Sequence, residues 1–102
     1  MSRHEVITRV WLDQWDKFQL REDAMEDIRR ASRNKRYRRW HPVAVDFITK
    51  GSYTAAVIEM AHPLKGTATG AGFAKCRPTD KYDTHVGQRI AMKRAIEDAL
   101  SA

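Results

Sequence analysis

The chain has 102 residues, 42 % of them apolar, with 19 basic and 13 acidic side chains for a formal charge of +6. That length suits one domain (residues 1–102) with a single modest core, and the one cysteine, Cys76, cannot close an intrachain disulfide, so nothing in the fold requires an oxidising compartment. No stretch approaches a membrane span and the start MSRHEVITRV lacks the apolar core of a signal peptide, which excludes a membrane role and leads us to expect a cytoplasmic protein.

From His4 to Leu12 polar and apolar residues alternate, with Val6, Thr8 and Val10 facing one way and Ile7, Arg9 and Trp11 the other, as in a half-buried strand. A competing reading starts a helix at Trp11, because Trp11, Trp15 and Phe18 fall at helical spacing. A helix from Asp13 or Leu20 to Arg33 follows, with Leu20, Ala24, Ile28 and Ala31 as its apolar stripe. Its acids, Asp16, Glu22, Asp23, Glu26 and Asp27, precede Arg29, Arg30 and Arg33, which suits the macrodipole, and Glu26 can pair with Arg30. Asn34 is a candidate cap, and Pro42 bars helix at His41.

Three strands come next. Val43 to Ile48 alternates, Lys50-Gly51 reads as a tight turn, Tyr53 to Met60 alternates again, and the loop His62 to Gly66 leads into a strand over Thr67 to Arg77. Gly70 and Gly72 leave one face of that strand open to close approach by a helix or a ligand backbone, or mark a bulge. After a polar loop with Asp80 and Asp83, a last helix runs to about Leu100 and buries Ala91, Met92, Ala95, Ile96, Ala99 and Leu100; Lys93 with Glu97 and Arg94 with Asp98 are its expected ion pairs. The expected fold is α+β, in the order β-α-β-β-β-α (or α-β-β-β-α), an antiparallel sheet covered on one face by two helices.

The charge is concentrated in one place. Arg29, Arg30, Arg33, Lys35, Arg36, Arg38 and Arg39 lie in RRASRNKRYRRWH, and outside this stretch 12 basic residues face 13 acidic ones for −1. Tyr37 and Trp40 are interleaved with the cations. Phosphates attract such a run and bases can stack on its rings, so a nucleic-acid surface is expected, with RNA favoured over DNA. The bland alternative is a solvated helix end with two core aromatics. Arg89 and Lys93, early in the last helix, could add to a phosphate site. The function expected is therefore non-enzymatic binding of structured RNA or duplex backbone, and the alternative is a phage-type inhibitor that docks its basic patch on an acidic host protein. Exposed sheet edges make a homodimer a further expectation, either edge to edge or through a helix face.

The tail GAGFAKCRPTDKYDTHVGQRIAMKRAIEDAL, through Gly70, Gly72, Pro78, Asp80, Gly87, Ala91, Arg94, Ala95 and Leu100, resembles a small dormancy-associated bacterial family similar to ribosome hibernation-promoting factors. That resemblance implies the ribosome as a partner. The last helix, GQRIAMKRAIEDAL, also resembles the final helix of double-stranded-RNA-binding domains, although Gln88 and Met92 stand where that family has lysines and only Arg89 matches its basic signature. The short basic chain is similar in style to small phage proteins.

Other chemistry is weaker. His41, His62, Cys76 and His85 lack the paired spacing of zinc ligands, so no metal and no cofactor are expected. Asp80, Asp83 and His85 could form a hydrolytic cluster of the kind a nuclease needs, but a turn with a helix cap is the better-supported reading and no catalytic residue is expected.

Overall fold

Each alternating stretch of the sequence becomes a strand of one sheet. The computed structural model describes residues 5–13, 18–31, 39–75 and 84–101. Its elements are β1 (Val6–Trp11), α1 (Phe18–Ala31), β2 (His41–Lys50), β3 (Tyr53–His62), β4 (Gly66–Lys75) and α2 (Thr84–Ser101). The strands form one antiparallel sheet in the order β1-β2-β3-β4. This is the β-α-β-β-β-α order, and it decides the ambiguity at Trp11 in favour of a strand.

Turn chemistry sets the register. Lys50 pairs with Tyr53 across the two residues Gly51 and Ser52, with Gly51 at a φ of 61°, as a type II′ turn demands of its first central residue. His62 pairs with Gly66 across three residues, and Gly66 takes the left-handed position at φ 86°. A bulge between Pro42 and Ala44 breaks the β2–β3 ladder where proline has no N–H to offer.

Alternation then separates two faces. Val10, Val45, Phe47, Ala56, Ile58 and Met60 look toward the helices and build the core with Leu12, Ala24 and Ile28. The predicted face of α2 is buried throughout: Ala91, Met92, Ala95, Ile96, Ala99 and Leu100. α2 lies along β4 and β3, and α1 packs on α2 and β2. The small residues fix this arrangement, because a Cβ built on Gly70 would stand 2.2 Å from the Ala95 carbonyl oxygen, and one on Gly72 2.4 Å from that of Ala91. Such distances are inside any van der Waals contact. The helix rests on bare strand backbone.

α2 also closes the edge of β4. Asp98 Oδ2 accepts the Ala71 N–H at 3.0 Å, and Arg94 Nη1 donates to the Phe73 carbonyl at 2.6 Å. These two side chains were expected to pair with each other. The outward backbone groups of an edge strand take them instead, since each would otherwise depend on water for its hydrogen bond.

Candidate nucleic-acid interface

The basic run begins on α1 and ends at β2. Arg29 and Arg30 are exposed in the last turn of α1, where both bond Glu26, at 2.7 Å and 3.1 Å. The anticipated Glu26–Arg30 pair is therefore present, with Arg29 added to it. Arg39 is exposed just before β2, and His41 is exposed at its first position. Arg33, Lys35, Arg36, Tyr37 and Arg38 lie outside the described residues, as do the candidate cap Asn34, Cys76, Asp80 and Asp83.

Trp40 belongs to the core at 8 % exposure, its ring 5.2 Å from that of His62, and its indole N–H meets no acceptor among the described residues. A ring so placed braces the entry to β2 and is not presented for stacking. His62 in turn organises the β3–β4 loop, its Nδ1 accepting the N–H groups of Leu64 at 3.0 Å and Lys65 at 3.2 Å. Burial lowers the His62 pKa from its usual range, and Lys65, Arg39 and His41 lower it further by charge repulsion. The pairing of His41 with Ala61 and of His62 with Gly66 brings Lys65, far along the chain, to the end of the sheet where β2 begins. No local sequence pattern announced Lys65, because it stands alone in its loop.

The two α2 candidates part company. Lys93 is exposed. Arg89 is bound to the buried carboxylate of Asp27, by Nη2 to Oδ1 at 2.9 Å and also through Nη1, and its Nε lies 3.6 Å from Asp23 Oδ2. The hydrogen bond to Asp27 holds its pKa above the usual arginine value. Its place is explained by joining α1 to α2. Asp27 could have been suspected from the sequence, since it falls on the stripe of Ala24, Ile28 and Ala31.

Two further surfaces surround this frame. On the face away from the helices, Ile7, Ile48, Ala55 and Phe73 pair in one row across all four strands, and Lys50, Tyr53 and Lys75 form the next. Tyr53 and Phe73 stack with centroids 5.7 Å apart. Farther along, Arg9 bonds Asp46 through two nitrogens, at 2.8 Å and 3.0 Å, and lies 5.1 Å from the Trp11 ring. That hydrogen bond keeps the Asp46 pKa below the usual carboxylate range. On the helix side, a cleft of about 660 Å³ opens between β1 and the first turns of both helices, lined by Val10, Leu20, Phe47, Val86 and Ile90.

Residues 38–101, from the end of the basic run through α2, match the family model described as Rv2632c-like. The chain belongs to the Rv2632c-like family. This family is neither the hibernation-factor-like group nor the double-stranded-RNA-binding domains, so the resemblances drawn from the tail are corrected. The glycines and alanines that suggested them have a packing role: they let α2 lie against β4, whatever a domain binds. Comparison with curated proteins and with solved structures gives no match. Membership in the family brings no activity, ligand or partner with it. No helix among the described residues is long and apolar enough to cross a membrane.

Proposed function

We propose that the protein binds the phosphate backbone of nucleic acid, structured RNA or duplex, through the basic end of its sheet and acts by binding without catalysis. One observation supports the reading: the pairing of His41 with Ala61 and of His62 with Gly66 puts Arg39, His41 and Lys65 at one end of the sheet, in a chain whose excess charge comes from one run of its sequence. Cations grouped on a folded surface release counterions from a polyanion together, which is the main source of backbone affinity. Arg39, His41 and Lys65 are held by β2 and by the loop that His62 ties down. Arg29 and Arg30 contribute less, since Glu26 already neutralises part of their charge.

The test is binding of a fluorescent RNA hairpin and a matched DNA duplex at rising salt. The expected log–log slope is about −0.9 for each phosphate neutralised on duplex DNA. Binding indifferent to salt, or a partner recovered from cells that survives nuclease treatment, overturns the reading in favour of an acidic protein ligand.

A further inference from the structure

The two edges of the sheet are treated differently. Along β4, Asp98 and Arg94 occupy the outward Ala71 N–H and Phe73 carbonyl, so that edge has little to offer another strand. Along β1, no side chain among the described residues does the same. Leu12 donates its N–H inward to the Val43 carbonyl at 2.9 Å. By antiparallel alternation Val10, Thr8 and Val6 also direct their backbone groups to β2, and Ile7, Arg9 and Trp11 direct theirs outward.

The side chains of β1 are as open as its backbone. Val6 is 56 % exposed on the helix side, and Ile7 and Trp11 are 65 % and 43 % exposed on the other. A long, apolar strand edge with unpaired backbone groups is a template for strand addition. What distinguishes one occupant from another is the sequence of the strand itself. Val6-Ile7-Thr8-Arg9-Val10 places a valine two residues to either side of Thr8, so its helix-side row reads the same in both directions.

We propose that β1 pairs antiparallel with β1 of a second copy of this chain, joining two sheets into one of eight strands. A two-fold axis normal to the sheet keeps both helix layers on the same side. Side chains of like face then meet only in registers centred on a residue. Centring on Arg9 sets two guanidinium groups opposite each other, which is unfavourable. Centring on Thr8 sets Val6 against Val10, Thr8 against Thr8, and Ile7 against Arg9, and it is the Ile7 and Arg9 backbone groups that point outward to make the bonds. Arg9 stays bound to Asp46 of its own chain.

The experiment uses the full chain. Sedimentation equilibrium is expected to give twice the chain mass; a monomer at tens of micromolar overturns the proposal. Thr8→Cys in a Cys76→Ser background is expected to form a disulfide-linked dimer on mild oxidation, because Thr8 alone faces its own copy as a non-hydrogen-bonded pair. Arg9→Cys in the same background is expected not to, and the opposite result overturns the register. Ile7→Pro removes an outward N–H while leaving the β2 ladder intact, and is expected to give a folded monomer. Should Ile7→Pro fail to fold, Ile7→Lys places a charge on the same edge. A folded dimer of either variant overturns the proposal.

Discussion

At the scale of single residues, two polar groups organise the interior, and both are open to test. Asp27, 3 % exposed, is buried on α1 and answered by Arg89 from α2. Removing one partner of a buried pair leaves an uncompensated charge, at a cost of about 3–5 kcal/mol. Arg89 is partly solvated, so Arg89→Ala is expected near the lower end, about 3 kcal/mol by urea denaturation, and Arg89→Met with Asp27→Leu is expected to recover most of it. His62 works through its protonation state. Its Nδ1 accepts two backbone N–H groups and can do so only when that nitrogen is unprotonated. Burial first, then Lys65, Arg39 and His41, lower its folded pKa below the ordinary 6.5, so the unfolded chain takes up the proton first as pH falls. The stabilisation is complete above about pH 6.5, declines below it and levels off once the folded imidazole protonates. Urea midpoints between pH 8 and 5 are expected to fall more for the wild type than for His62→Asn, whose amide oxygen keeps an acceptor without the titration.

At the scale of elements, the contact of α2 with β4 sets the layer spacing. Gly72→Ala puts a methyl group within 2.4 Å of helix backbone, where no flexible side chain can yield, and Gly70→Ala does the same at 2.2 Å. Each is expected to destabilise by about 1–3 kcal/mol or more, read as a lower thermal midpoint, whereas Gly66→Ala meets no neighbour and suffers only from its positive φ. These contacts were legible in the sequence, because strand glycines and helix alanines are complementary patterns that each imply the other. The six elements were legible for a similar reason: period two and period 3.6 are local signals. Arg94 and Asp98 escaped the sequence reading because i,i+4 spacing suggests an ion pair, and only the sheet shows that β4 offers fixed backbone partners within reach. For Trp40 both a presented and a core ring were open, because nothing in KRYRRWH separates the two; the fold packs it in the core, with its ring against that of His62, distant in sequence.

At the scale of the whole molecule, the basic end and the β1 edge can be altered separately. The basic end is at the start of β2, next to the β3–β4 loop with its exposed Leu64, while Val6 and Ile7 are exposed on β1 and Tyr53 and Phe73 on the sheet face away from the helices. Arg39→Gln with Lys65→Gln removes two cations that the fold holds together, leaving the Glu26 pairs and the Arg89–Asp27 link untouched. If both meet phosphates, the salt slope for duplex DNA is expected to shrink by about 1.8, at 0.9 per contact, with affinity lowered across all sequences alike. Arg29→Gln with Arg30→Gln removes as much formal charge but frees Glu26, and is expected to change the slope less. Circular dichroism should be unchanged in the Arg39/Lys65 pair, since both side chains are exposed. Equal slopes in the two double variants would mean that net charge alone governs binding, and the arrangement around His62 would then have no part in it.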